Sequence, residues 1–154
     1  ETGEVLDRYY TPTGIRTFRF DAQKGFILNG EQVKINGVCM HHDLGCLGAA
    51  VNTRAIERQL EILKEMGCNG IRCSHNSPAP ELLDLCDRMG FIVMDETFDM
   101  WRKKKTRHDY SRYFNEWHER DLTLSCVTAI ILPSSCGASA TKCWSSGRMP
   151  KPTP

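Results

Sequence analysis

The stretch NGIRCSHNSPAPELLDLCDRMGFIVMDE, residues 69–96, encodes a complete strand–helix–strand unit. Residues 69–73 are rich in apolar side chains and predict a short strand. A helix is predicted over 80–89, because proline is favoured in the first turn of a helix, and Gly90 ends it, because glycine is favoured just past the last turn. Residues 91–94, FIVM, predict a second strand with both faces buried. Two strands joined by a helix lie parallel in one sheet, with a right-handed connection.

The flanking sequence extends this alternation in both directions. The Asn29-Gly30 pair lies between two apolar runs, which is a strong hairpin signal, and residues 33–40 predict the strand that follows. An amphipathic helix is predicted over about 53–66, and a third helix over about 110–123. Strands and helices therefore alternate three times, which predicts an α/β fold around a parallel sheet.

Polar side chains follow each of the three predicted parallel strands. They are His41, His42 and Asp43 after the first strand, Ser74, His75 and Asn76 after the second, and Asp95 and Glu96 after the third. In a barrel of alternating strands and helices, the active site is built at the carboxyl ends of the strands. Arg72 lies inside an apolar strand, and a buried guanidinium requires a carboxylate partner. The sequence therefore predicts a functional site at this edge of the sheet.

Each of these motifs also has a purely structural interpretation. The pair His41-His42 can be a hydrogen-bonded loop pair, and Asp95-Glu96 can simply cap the segment that follows. The His and Cys residues of 39–46 do not have the spacing of a zinc site. The basic run of Lys103, Lys104, Lys105 and Arg107 is typical of a solvated loop.

Composition excludes several classes of protein. A length of 154 residues and a charged content of 25% are typical of one globular domain. A net charge of +1 argues against binding to nucleic acid or to a membrane surface through bulk electrostatics. The eight cysteines include no C-x-x-C pair, so free thiols are expected rather than a metal site or a disulfide framework. Composition does not indicate the cellular compartment.

Two segments resemble glycoside hydrolase family 2, and within it the β-galactosidase-like members. Residues 69–96 resemble the family's first signature, and INGVCMHHDLGCLGAAVN, residues 35–52, is similar to its first barrel strand and loop. Residues 1–22 resemble the end of the immunoglobulin-like β-sandwich that precedes the barrel. The resemblance implies that 23–123 is the N-terminal part of a (β/α)8 TIM barrel, with about three βα units.

The resemblance also implies a role for individual residues. The expected substrate-binding shell, which stabilises the transition state, comprises His41, Arg72, His75, Asn76, Asp95 and Glu96. In the family, the histidines matching His41 and His75 bind sugar hydroxyls, and the arginine matching Arg72 pairs with the catalytic nucleophile. Asn76 departs from the tyrosine of many members, and Asp99 is a weaker candidate.

The family's chemistry supplies further expectations. Its members are retaining exo-β-glycosidases, so the resemblance implies a β-linked sugar as substrate for the full-length enzyme, and full-length members can form homo-oligomers. Some relatives bind Mg²⁺ near the acid/base, but the ligand pattern after Glu96 does not match here. No other cofactor, no nucleic acid and no membrane is expected as a partner.

The last part of the chain contains no acidic residue after Asp121. Codons for Cys126 to Lys142 can be chosen so that an adjacent reading frame gives RDRNHPSIIMWSIGNE, which resembles the family's second motif. We therefore interpret residues 124–154 as a frameshift-derived, disordered tail. A genuine Ser/Cys/Pro-rich tail is the alternative.

The frameshift interpretation predicts an inactive fragment. The acid/base glutamate would share the codons of Thr141 and Lys142, and the nucleophile would come from a later strand. Both catalytic glutamates are therefore expected to be absent from this chain, which leaves no catalytic residue. The alternatives are a β-glucuronidase or β-mannosidase of the same family, or a sugar-binding pseudoenzyme fragment without turnover.

Overall fold

A computed structural model describes the backbone of residues 5–10, 14–131 and 139–141, and side chains up to residue 123 within those ranges. The strands are β1 Phe18–Asp21, β2 Gly25–Leu28, β3 Glu31–Gln32, β4 Gly37–Met40, β5 Gly70–Cys73, β6 Ile92–Asp95 and β7 Ser139–Thr141. The helices are α1 Thr53–Glu65, α2 Pro80–Met89 and α3 Ser111–Ile131, with a short 3-10 turn at Gly45–Leu47.

A parallel sheet in the order β4-β5-β6-β7 is the centre of the fold. Helices α1 and α2 pack on one face of it, where Leu60, Leu85 and Phe91 are fully buried. Burying side chains of this size contributes about 1.5–3 kcal/mol each. The predicted α/β alternation is confirmed, because each helix links two neighbouring parallel strands.

The helix ends follow the residues that predict them. The side chain of Asn52 accepts a hydrogen bond from the backbone N–H of Ala55 and so caps α1. Helix α2 begins at Pro80 and ends at Gly90, whose φ of 72° is the left-handed conformation that closes a helix. Both helices lie within one residue of their predicted bounds.

An antiparallel sheet of β1, β2 and β3 precedes the parallel one. Asn29 and Gly30 connect β2 to β3 with φ values of 51° and 86°, as a tight hairpin turn requires, so the predicted hairpin is confirmed. Phe26 of this hairpin packs against Ile92, which begins β6. The hairpin therefore covers the amino-terminal end of the parallel sheet, opposite the end that the sequence predicts as functional.

One predicted strand is shorter in the structure, and the two predicted domain boundaries fall between or within described elements. Of the strand predicted over 33–40, only Gly37–Met40 forms a strand, β4, and residues 33–36 belong to no strand. Strand β1 pairs with β2 across the domain boundary predicted at residue 22, and the described residues do not display a sandwich. The end of helix α3 and the whole of strand β7 lie within 124–154, which the sequence analysis interprets as a disordered tail. The rest of 124–154, and all of its side chains, lie outside the described residues.

A close contact between two glycines joins β4 to β5. Gly37 and Gly70 are register partners, and a Cβ atom on Gly37 would lie 3.2 Å from the carbonyl oxygen of Gly70. A Cβ on Gly70 would lie 2.7 Å from the side chain of Ile35, closer than real Cβ contacts allow. The spacing of the two strands at this point therefore depends on the absence of both side chains.

Five cysteines lie among the described side chains, and all five are free thiols, as predicted. Cys73 and Cys86 are buried in the core beside the helices, where desolvation raises the pKa of the Cys73 thiol to about 12. Among the described residues, no helix has both the length and the apolar character that crossing a bilayer requires.

Candidate functional site

The site is built where the parallel strands β4, β5 and β6 end. Side chains alternate between the two faces of a strand. Ile71 and Cys73 point towards the helices and belong to the core, so Arg72 between them points to the opposite face. By the same alternation Glu96 leaves β6 on the face of Arg72, and the two side chains meet.

Arg72 and Glu96 form an ion pair between neighbouring strands. The Nε and Nη2 atoms of Arg72 each lie 2.6 Å from the Oε1 atom of Glu96. Burial raises the pKa of Glu96, but hydrogen bonds from His75 and Arg72 outweigh it and hold that pKa below its usual value. Glu96 is therefore an ionised carboxylate, and it is the partner that Arg72 requires.

His75 is held by the other oxygen of the same carboxylate. Its Nδ1 atom lies 3.0 Å from Oε2 of Glu96, and an ionised carboxylate only accepts hydrogen bonds. Nδ1 therefore carries a proton, and its 3.3 Å approach to Arg72 Nη2 is a contact between two donors. This tautomer leaves Nε2 of a neutral His75 as an acceptor for a ligand hydroxyl.

His41 completes the group, directly after β4. Its ring centroid lies 5.5 Å from that of His75, with the two planes at 78° in an edge-to-face arrangement. The structure thus brings together His41, Arg72, His75 and Glu96 from three strands, as the sequence predicts.

The next two residues, His42 and Asp43, form hydrogen bonds within the loop after β4. The Nε2 atom of His42 lies 2.9 Å from the carbonyl oxygen of Ala49, and the carboxylate of Asp43 accepts a hydrogen bond from the N–H of Gly45. The structural interpretation of a hydrogen-bonded loop pair therefore applies to His42, whereas His41 faces the site.

Asn76 lies apart from the ion pair. It is exposed and borders a cavity of about 40 Å³ between the loops after β4 and β5 and the helices α1 and α2. His41 and Ser74 line the same cavity, whose remaining walls are largely apolar, including Ile56 and Leu82. His41 therefore borders both this cavity and the group around Arg72.

Asp95 points away from the site. It is 7% exposed and, like Val93 two residues before it, lies on the helix-facing side of β6. Desolvation raises the pKa of Asp95 to about 6, the N–H of Glu96 lowers it in part, and the charge of Glu96 raises it. Its Oδ1 atom has no hydrogen-bond partner among the described residues. Asp99 is exposed and farther along the loop.

One residue of this cluster was missed by the sequence analysis. Cys39 is the register partner of Arg72, and its Sγ atom accepts a hydrogen bond of 3.4 Å from Nη1 of Arg72. The thiol is exposed on the site face of β4. The sequence carries a signal for this pair. Assigning alternate residues of β4 and of β5 to the two faces of the sheet places Cys39 and Arg72 on the same face, away from the helices.

Two further expectations concern a metal ion and the basic run. Among the described side chains, no three His, Cys, Asp or Glu residues are grouped closely enough to hold a metal ion. The basic run lies in the loop after β6, where its side chains are exposed. The carboxylate of Asp109 shapes this loop by accepting hydrogen bonds from the backbone N–H groups of Lys105 and Thr106.

A parallel sheet with helices on one face and a charged cluster at its carboxyl edge is the arrangement of part of a (β/α)8 barrel, whose active site lies at that edge. Residues 21–130 match the family model described as "Glycosyl hydrolases family 2, TIM barrel domain". The chain belongs to this family.

Similar proteins agree with this assignment. The chain is 87% identical over 119 residues to beta-galactosidase BoGH2A of Bacteroides ovatus, an alignment covering 77% of this chain and 14% of that protein. It is 35% identical over 94 residues to a beta-glucuronidase of Bacteroides fragilis, covering 61% of this chain and 14% of that protein. A crystal structure of a glycosyl hydrolase family 2 member from Bacteroides cellulosilyticus superimposes with a TM-score of 0.81 at 44% identity, covering 87% of this chain and 17% of that one.

The chain therefore spans only a small part of the length of these relatives. The described sheet corresponds to part of the barrel, and the remaining strands of a closed barrel are not among the described residues.

Proposed function

We propose that the chain is a fragment of a retaining exo-β-glycosidase that hydrolyses terminal β-galactosides. The observation that carries this proposal is the cluster of Arg72, His75 and Glu96 at the carboxyl edge of the sheet. The 87% identity to a beta-galactosidase supports galactose as the sugar.

The charges in the cluster indicate which roles its residues can fill. A retaining glycosidase uses one carboxylate as nucleophile and a second carboxyl group as acid/base, about 5 Å apart. Glu96 is held as an anion by Arg72 and His75, so it is a poor proton donor. Asp95 has a pKa of about 6, which suits an acid/base, but it is buried on the helix-facing side of β6, where no sugar reaches it. Neither carboxyl group of this pair therefore performs the chemistry.

The cluster is better suited to binding and orienting a substrate. We assign sugar hydroxyls to His41 and to the free Nε2 of His75. Arg72 carries N–H groups that Glu96 leaves unused, and these can pair with a further carboxylate, the nucleophile of the full-length enzyme. Both catalytic glutamates are then supplied by polypeptide beyond the part of the chain that the structure describes. The 154-residue chain is accordingly inactive. We also propose that residues 1–22 are the end of a preceding immunoglobulin-like sandwich.

A second candidate is a β-glucuronidase of the same family, which the similarity to the beta-glucuronidase of Bacteroides fragilis supports. A glucuronide adds a carboxylate to the sugar, so its binding requires a cation in addition to Arg72. The higher identity to a beta-galactosidase favours the galactoside.

Kinetics with a gene whose reading frame is repaired near residue 123, and which is extended to the length of the relatives, test the proposal; its product is called the extended enzyme. The extended enzyme is expected to release nitrophenol from 4-nitrophenyl β-galactoside faster than from the β-glucuronide, and NMR should show the β-anomer of the sugar as the first product. The 154-residue chain, expressed in a host without its own β-galactosidase, should show only the buffer rate. Preference for the glucuronide, an α-anomer as first product, or turnover by the short chain would each contradict part of the proposal.

A further inference from the structure

Cys39 has a defined place beside the guanidinium of Arg72. The two residues are register partners on adjacent strands, with Sγ and Nη1 3.4 Å apart. Both side chains lie on the face of the sheet away from the helices, at the edge where the site is built. Because the thiol is exposed, Cys39 is not part of the core, and its hydrogen bond with Arg72 is the contact that places it.

The contact restrains a motion that the ion pair leaves free. Nε and Nη2 of Arg72 both bind the single oxygen Oε1 of Glu96, so the planar guanidinium can still tilt about that oxygen. Nη1 lies on the other side of the plane's centre, and the sulfur of Cys39 is its acceptor. An acceptor on each side determines the direction in which the unused N–H groups point.

The two groups also influence each other electrostatically. The hydrogen bond from Arg72 lowers the pKa of the Cys39 thiol, with a smaller lowering from Ser74, whereas the charge of Glu96 opposes it. In return the hydrogen bond to Cys39, and then that to Glu96, raises the pKa of Arg72. His75 is the remaining titratable group against Arg72 on this side.

We propose that Cys39 is a positioning residue of the sugar site, whose sulfur accepts from Nη1 of Arg72 and fixes the plane of the guanidinium. This inference rests on the proposed function, in which Arg72 pairs with the nucleophile. In this proposal the effect of Cys39 on catalysis passes through Arg72, to which its sulfur is hydrogen-bonded.

The first test needs no substrate and uses the 154-residue chain. Alkylation by iodoacetamide is followed at each cysteine by mass spectrometry of peptides across pH, because only the thiolate reacts. In the Arg72→Gln variant the pH midpoint of Cys39 alkylation should move upwards, and the rate at neutral pH should fall about threefold or more. Cys46, exposed in the 3-10 turn, is the internal control and should not change. An unchanged midpoint at Cys39, or an equal change at both cysteines, overturns the proposal.

The second test is a double-mutant cycle in the extended enzyme. Cys39→Ala should lower kcat/KM about tenfold, as expected for losing a hydrogen bond to a charged group. Cys39→Ser keeps an acceptor and should recover most of the loss, and Cys46→Ala should have no effect. On the Arg72→Gln background, Cys39→Ala should cause no further loss, because the two residues act as one unit. Independent, multiplying losses would show that Cys39 acts by another route.

The two tests separate the inference from the proposed function. An extended enzyme without glycosidase activity contradicts the proposed function, and the alkylation result still decides whether Arg72 and Cys39 are coupled. If the extended enzyme is an active β-galactosidase but Arg72→Gln leaves the pH midpoint of Cys39 alkylation unchanged, only the inference about Cys39 is contradicted.

Discussion

The guanidinium of Arg72 and the carboxylate of Glu96 lie 2.6 Å apart, although 24 positions separate them in sequence. They meet because β5 and β6 are parallel neighbours, and because each side chain leaves its strand on the face away from the helices. The exposed fraction is 37% for the Arg72 side chain and 14% for the Glu96 side chain, so the pair is partly shielded from water. It therefore links the sheet to the site both structurally and electrostatically.

Replacing Arg72 should impair the extended enzyme severely. We expect Arg72→Ala to lower kcat at least about a hundredfold, because the nucleophile and Glu96 then lose their shared cation. Steady-state kinetics with 4-nitrophenyl β-galactoside measure the effect. Arg58→Ala, which removes an exposed arginine from α1, is the matched control and should be neutral. A loss of less than tenfold for Arg72→Ala would show that this arginine does not support the nucleophile.

Glu96→Gln should destabilise the 154-residue chain only where the carboxylate is ionised. The pKa of Glu96 in the folded state lies below its ordinary value of 4.5. Its contribution to stability is therefore present above that pH and is lost as pH falls through the folded-state pKa. We expect the variant to lose about 1–2 kcal/mol of unfolding free energy at pH 7, for hydrogen bonds to a partly exposed charged partner. Urea unfolding at pH 7 and pH 4 measures it, and an equal loss at both would contradict the prediction.

Asp95→Asn should show the opposite pH dependence. Burial raises the pKa of Asp95 from 3.8 to about 6, so the folded state retains a proton that the unfolded state releases. Ionisation therefore costs stability as pH rises from 3.8 to about 6, by about 2–3 kcal/mol at neutral pH, and the neutral amide escapes that cost.

The difference in unfolding free energy between Asp95→Asn and the original chain should accordingly grow with pH and level off above about 6. The test is the change of this difference with pH. Its absolute value is less informative, because the amide also introduces N–H donors that alter the unfolding free energy at every pH. The exposed Asp99→Asn variant is the control and should follow the original chain at every pH. A flat difference across pH would mean that Asp95 is not buried as an acid.

The gene itself tests the frameshift interpretation. DNA encoding residues 126–142 should contain RDRNHPSIIMWSIGNE in an adjacent reading frame. Sequencing this interval is sufficient, and any codon that is incompatible with that reading shows that the Ser/Cys/Pro-rich tail is genuine.

The sequence predicts the elements well where single residues determine their ends. Asn52 caps α1 with its side chain, and Pro80 and Gly90 bound α2 through their restricted or permissive backbones. Such signals act within one turn of chain, so they can be interpreted without knowing the fold. The positions of His41 and His75 were predictable for a related reason, because carboxyl ends of parallel strands share one edge.

Side-chain direction was harder to predict than position. The sequence placed Asp95 and Glu96 together after a strand over 91–94, whereas β6 is Ile92–Asp95. Asp95 therefore belongs to the strand and takes the helix-facing side, and only Glu96 reaches Arg72. Strand side chains alternate between the two faces of the sheet. The face that each of the two acids takes therefore stays undetermined when the end of the strand is uncertain by one residue. The Cys39–Arg72 contact was missed since it depends on the register between two strands.

The glycine contact between β4 and β5 makes the site sensitive to substitutions at residues that do not belong to it. Gly37 and Gly70 hold the two strands at close range, and Cys39 and Arg72 follow two residues later on the same pair of strands, about 7 Å along the sheet. A methyl group at Gly70 would collide with Ile35 and increase the separation of β4 and β5. The gap would open at the sulfur and the guanidinium, so an alanine that no sugar ever touches can disable the site.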